Sequence, residues 1–304
     1  MPVPLFFLYH LLVVAFMTAS AYALGKRLLP GLSFHSAWEE LPMTTAIGLG
    51  TIATAILLLG LCGLLYRSSV IAVLLACHVV GWTAWRSTWQ RLRAVAWRAH
   101  VAKRWVLVFL AALTIAMPLA WRALYPPVQF DAIMYHLPAA KAFALSHRVG
   151  SLPAIRFVVF PQLNEMLFAA AMLLYDDLTA QLVSLLFFAL TCVLVMAWAR
   201  RFGAWLTGFM GLALWIGSPL VLFLATCAYV EMAAAAFAAV AVYGFCCWTQ
   251  TADRRWLVVS GLSAGFAAGT KYTGLYFVAA ISLAVFLREL RRPFWKPAWL
   301  FVAS

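Results

Sequence analysis

The chain has 304 residues, of which 66% are hydrophobic and only 10% charged, and its mean hydropathy is +0.96. This is far above the roughly half-apolar usage of soluble domains and excludes an ordinary water-soluble globule. The formal net charge of +13 raises the question of a nucleic-acid partner, but Lys and Arg fall in the gaps between apolar runs rather than on one amphipathic face, so no nucleic acid is expected.

No Lys or Arg precedes the first apolar run and no small-residue cleavage site follows it, so Leu5 to Ala23 reads as a retained span rather than a signal peptide. Further apolar windows cover Met43 to Leu65, Val70 to Trp85, Val106 to Leu124, Thr179 to Ala199, Ala204 to Ala225, Tyr229 to Trp248, Trp256 to Thr270 and Gly274 to Leu287. Another begins at Pro297 and stops at Ser304. The predicted fold class is all-α, a polytopic transmembrane helical bundle of about nine to ten spans. Residues 1–104 form a three-span N-terminal segment with a basic loop. Residues 105–304 form a second module, apparently truncated at its C-terminus, whose external loop 125–178 carries interfacial helices.

The loop from Trp85 to Val106 holds Arg86, Arg91, Arg93, Arg98, Lys103 and Arg104, which makes it cytoplasmic by the positive-inside rule. Val106 to Leu124 then runs outward and leaves Asp131 outside. Pro161 to Tyr175 is short and opens with Gln162, Asn164 and Glu165, so it is expected to lie in the interface or dip partway, which returns Arg200 and Arg201 to the cytoplasm. Arg254 and Arg255 precede Trp256 to Leu287, and Arg288, Arg291, Arg292 and Lys296 follow it. That run is therefore expected to cross twice, with Lys271 at the outer turn. Glu39 and Glu40 fall inside, a mild conflict because acids weigh little in the rule. Gly261, Gly265 and Gly269 recur every fourth residue and read as a packing stripe. The six cysteines lie in or at the ends of apolar runs and read as packing residues, with neither a disulfide framework nor a zinc site indicated.

These parities deliver Asp131, Glu231 and Lys271 to one face. Ionisable groups are rare in such a chain and mark where chemistry is to be sought. Asp131 follows Pro126-Pro127 and precedes a helix-compatible run, so it suits either an N-cap or a general base. Glu231 suits a polar cavity or interfacial water, and Lys271 a phosphate counter-charge or snorkelling to headgroups. Arg156 and Arg148 have the planar fork that holds phosphate, and His136 and His147 are further contacts for an anion. The spacing of Asp131, His136 and His147 fits no standard zinc pattern. Asp176 and Asp177 read as a polar break.

Phe130-Asp131, Tyr135-His136-Leu137-Pro138, Phe160-Pro161-Gln162-Leu163-Asn164-Glu165, Tyr229-Val230-Glu231 and Gly265 to Tyr272 occur in an order that resembles the GT-C superfamily of integral-membrane glycosyltransferases. Within it the chain looks most like the bacterial protein-mannosyltransferase-like and aminoarabinose-transferase-like branch, from about Val106 onward. The resemblance implies a polyprenyl-phosphate-sugar donor, a lipid, glycan or protein acceptor, and a bacterial inner membrane with the site facing outside. It implies Asp131 as the catalytic acid residue acting as base, Glu231 orienting the acceptor or a cation, and Lys271 with Arg156, His136, Arg148 and Tyr135 contacting the donor. Many relatives have paired acids where this chain has Asp131-Ala132, so no metal is assigned and a divalent cation stays open. The alternative from another class is a non-catalytic polyprenyl-lipid-binding protein or a transporter, which would place its charges near the bilayer midplane.

Overall fold

The computed structural model describes residues 3–98, 114–155 and 160–290. The described residues form helices joined by short turns, with no strand among them. In chain order these are α1 (Val3–Leu28), α2 (Ala37–Leu61), α3 (Arg67–Val80), α4 (Trp82–Arg98) and α5 (residues 114–123). A π-helical turn (Ala132–His136) leads into α6 (Leu137–Ser146), followed by α7 (Leu163–Leu174), α8 (Asp177–Phe202), α9 (Trp205–Gly217) and α10 (Pro219–Ala225). The last three are α11 (Glu231–Thr251), α12 (Arg254–Thr270) and α13 (Gly274–Leu290).

The protein is a helical membrane protein. Among the described residues four helices are long and apolar enough to cross a bilayer, Leu5–Leu28, Ala37–Leu61, Asp177–Phe202 and Glu231–Thr251, and the number rises to six if each of two bent pairs is one span. One bent pair is α3–α4, broken at Gly81 by 56°. The arginine-rich stretch expected as a loop is thus helical as far as Arg98. It contains no Gly or Pro after Gly81, and alternating Trp, Arg and Leu make an amphipathic helix rather than a turn. The other pair is α9–α10, expected as one straight span but bent by 72° at Ser218. Pro219 cannot donate the next ladder bond, so α10 starts afresh with Pro in its first turn.

The bundle has two chemically distinct ends. At the basic end Lys26 pairs with Glu40, Arg201 with Glu39, Arg255 donates to Gly31 O, and Arg288 donates to Thr249 O. These contacts bring together the last turns of α1, α8, α11 and α13 and the first turns of α2 and α12. The two acids that conflicted with the charge rule are therefore neutralised by ion pairs. At the opposite end His10 Nε2 meets Asp176 Oδ2 at 2.8 Å, and Gln181 donates to the Tyr125 carbonyl at 2.7 Å. Asp176 also caps α8 by accepting from Thr179 N–H at 2.9 Å, so this polar break has a structural role.

Helix α7 sits wholly in the half of the bundle opposite the basic end. Its start packs against Gly269 of α12 and its end, Tyr175, against Tyr9 and His10 of α1. At 12 residues it spans about 18 Å, too short for roughly 30 Å of hydrocarbon. Every residue from Leu163 to Ala171 is buried. It is therefore packed inside the bundle and does not lie exposed on its surface. An apolar run with polar residues only at its start carries no exposed stripe, so it packs on all sides.

The tightest helix crossing is α1 on α2. A Cβ on Gly25 would overlap the Thr44 carbonyl, and one on Gly48 the Ala21 carbonyl. The expected Gly261-Gly265-Gly269 stripe divides instead: Gly269 meets Leu163, whereas Gly265 faces open space. Gly48→Val is expected to cost about 1–3 kcal/mol or more by forcing backbones apart, seen as a lower apparent Tm of the solubilised protein. Gly265→Ala should leave the Tm unchanged or slightly raised.

Candidate functional site

The helix that carries Asp131 begins one residue earlier, at Phe130, so Asp131 is already helical and its side chain makes no capping hydrogen bond. The capping role is not realised. The helix then widens: Leu137 N–H donates to the Ala132 carbonyl, five residues back. Pro138 supplies the reason, because it has no N–H for the carbonyl four residues earlier and its ring would strike that carbonyl in α geometry. A π turn ahead of it relieves the clash, and such insertions recur at functional sites.

The wider turn brings residues five apart nearly into line, so Asp131, Tyr135 and His136 address the same neighbours. Asp131 N–H donates to Tyr229 Oη at 3.1 Å, and the His136 and Tyr229 rings lie 6.0 Å apart. The Tyr135 phenol lies near the Asp131 carboxylate and feels its charge. Burial first, and then that carboxylate with Glu231 behind it, pushes the Tyr135 phenol far above its ordinary range. Tyr229 is raised too, by burial and by the charges of Asp131 and Glu231, against the lowering effect of its hydrogen bond from Asp131 N–H. Both phenols stay protonated at neutral pH. Ser184 of α8 fixes the Tyr229 loop by donating to its carbonyl at 3.1 Å.

Lys271 Nζ pairs with Glu231 Oε1 at 2.5 Å, joining the turn after α12 to the start of α11. Both are partly open to solvent, with side-chain exposures of 41% and 26%. Behind Lys271 lies a cavity of about 320 Å³ lined by Tyr135, His136, Phe160, Glu165, Thr270 and Tyr272, among others. Its size is at the lower end of small-molecule sites. Asp131 is not in the wall and reaches its edge through Tyr135.

Inside, His136 Nδ1 and Glu165 Oε1 are 2.6 Å apart, and both side chains are almost fully buried. Among the described residues Glu165 Oε2, Thr270 Oγ1, both amide atoms of Asn164 and Glu231 Oε2 have no hydrogen-bond partner. An unsatisfied buried polar group costs about 1–3 kcal/mol, and such groups call for water or a ligand.

The structure thus gathers Asp131, Tyr135, His136, Glu231 and Lys271. Arg148 is elsewhere, exposed beside the α2–α3 turn, where His147 stacks on Tyr66 at 4.0 Å and bonds Leu65. Chain topology explains this: α6 carries the backbone away from the cavity before its left-handed end at His147. His147 is therefore not near His136. Among the described residues no three His, Cys, Asp or Glu side chains converge as a metal centre. Arg156 lies outside the described residues. Glu165, Thr270 and Tyr229 join the site; the sequence places them in the motif segments and assigns them no role. The available signal for Glu165 was a carboxylate directly preceding an apolar run, the same signal that marked Glu231.

Over 91 residues the chain is 34% identical to an uncharacterized protein of Shigella flexneri, a match covering 30% of this chain and 45% of that protein. The chain thus spans less than half the length of the relative it matches. No family model and no solved structure matches it.

Proposed function

We propose that this protein is a membrane glycosyltransferase that moves a sugar from a polyprenyl-phosphate donor to an acceptor hydroxyl. The observation that carries this reading is the meeting of the Lys271–Glu231 pair with the Asp131–Tyr135 pair at the edge of one cavity, from segments far apart in the chain. Asp131 takes the proton of the acceptor hydroxyl, whose oxygen forms the new bond to the anomeric carbon. The bond from that carbon to the phosphate oxygen breaks, the lipid phosphate leaves with the electron pair, and configuration inverts. Lys271 stabilises the charge that develops on the phosphate. Glu231 keeps Lys271 in place and presents its second oxygen to the acceptor. A divalent cation beside Glu231 is compatible with this scheme and is not required by it.

The active site faces outside the cytoplasm of a bacterial inner membrane. With the α12–α13 hairpin and the sequence run 106–124 counted as further spans, the expected number is about nine to ten; residues 106–113 lie outside the described residues. The GT-C-type fold is supported by the motif order and by the convergence of the same residues. Two measurements test the reading. Proteoliposomes given radiolabelled polyprenyl-phosphate sugars are expected to transfer label and release polyprenyl phosphate, whereas tight lipid binding without turnover would favour a non-catalytic lipid-binding protein. In a background lacking Cys62, thiol reagents are expected to label Arg148→Cys and Arg254→Cys from opposite sides, and labelling from one side overturns the sidedness.

A further inference from the structure

The cavity behind Lys271 has polar groups that find no partner among the described residues. Glu165 spends one carboxylate oxygen on His136 and has the other unpartnered, and the Thr270 hydroxyl is unpartnered as well. Both residues line the cavity and both are only 1% exposed. Around them stand aromatic rings, with Phe160 edge-on to Tyr135 at 5.8 Å and to Tyr272 at 6.1 Å. An apolar ligand would leave the carboxylate and hydroxyl unpaired. A cation has a carboxylate to meet but gains nothing from the adjoining Lys271. A saturated ring with hydroxyl edges and C–H faces satisfies the whole wall: its O–H groups donate to Glu165 Oε2, Thr270 Oγ1 donates or accepts, and its C–H face lies on the aromatic rings.

We propose that Glu165 and Thr270 form a polyol subsite that holds the sugar ring of the donor and sets which sugar is accepted, with His136 as the positioning residue that orients Glu165. This rests on the glycosyltransferase reading above. The order of the chain fits it, since Thr270 adjoins Lys271 as the sugar adjoins the phosphate in the donor. His136 Nδ1 fixes one carboxylate oxygen from the π turn, and that fixes the direction of the other.

The test is binding of two probes to the full chain in nanodiscs: bare polyprenyl phosphate, and polyprenyl phosphate carrying glucose, mannose or a pentose. The parent is expected to prefer at least one sugar-bearing lipid. Thr270→Val and Glu165→Gln should weaken that lipid about tenfold or more while leaving bare polyprenyl phosphate unchanged, and Lys271→Ala should weaken both. His136→Gln should weaken the sugar-bearing lipid in the same sense as Glu165→Gln. Unchanged binding of the sugar-bearing lipid by the Thr270 and Glu165 variants overturns the subsite and leaves the lipid-phosphate reading standing. Equal losses for the two lipids also overturn it, because the residues then support the fold. A parent that binds neither lipid overturns both.

Discussion

Asp131→Asn is expected to lower sugar transfer in proteoliposomes by about 10²–10⁴-fold, the usual contribution of a general base, while the protein still accumulates and keeps its apparent Tm. The substitution is unusually clean here. The backbone contact from residue 131 to Tyr229 does not involve the side chain. The ability to take a proton is lost together with the negative charge that acts on Tyr135 and Tyr229. Were Asp131 an N-cap, Asn would replace it at little cost in either stability or activity, but its side chain makes no capping bond. Tyr135→Phe should have a smaller effect, since it frees the carboxylate without removing it. Transfer by Asp131→Asn at the parent rate would remove Asp131 from the mechanism.

The convergence of Asp131, Glu231 and Lys271 was legible because charges in an apolar chain have few places to go. Basic clusters fix which gaps share a side, and counting crossings then sorts the rest. The cavity itself was not legible. Glu165 reads as the polar start of a short apolar run, and its partner His136 comes from a helix whose register depends on a π turn. A straight α-helix would turn Asp131 and His136 toward different neighbours, so an ordinary helical wheel misplaces one of them. The bend at Ser218 had a visible signal in Pro219, outweighed by hydrophobic length. The α1–α2 crossing had a weaker signal, the small pairs Ala21/Gly25 and Thr44/Gly48 at four-residue spacing, each with only one glycine. The short run at α7 was legible from its length and from Gln162, Asn164 and Glu165 at its start, and the helix has 12 residues.

At the other end of the molecule, Glu39→Leu is expected to destabilise the protein by about 3–5 kcal/mol, the usual cost of stranding one member of a buried ion pair. One carboxylate oxygen of Glu39 accepts from Arg201 at 2.5 Å and from the Tyr243 phenol at 2.9 Å, and the other accepts from His35 N–H. It thereby ties the start of α2 to the end of α8 and to the second half of α11, with the Glu39 side chain 1% and the Arg201 side chain 12% exposed. Removing the carboxylate leaves the guanidinium over the Trp256 ring, 5.2 Å from its centroid, without a counter-charge. That loss is a large part of a typical folding free energy of about 5–15 kcal/mol. Glu39→Gln keeps most of the acceptor geometry and should cost less. Glu39→Leu combined with Arg201→Met should recover much of the stability, because replacing both members of a buried pair by apolar groups is often neutral. The measurement is the apparent Tm of the three variants in detergent at one scan rate, since unfolding of such a protein is governed by kinetics as well as equilibrium. A Glu39→Leu protein as stable as its parent, or a double variant no better than the single one, would show that packing rather than this carboxylate holds the three helices together.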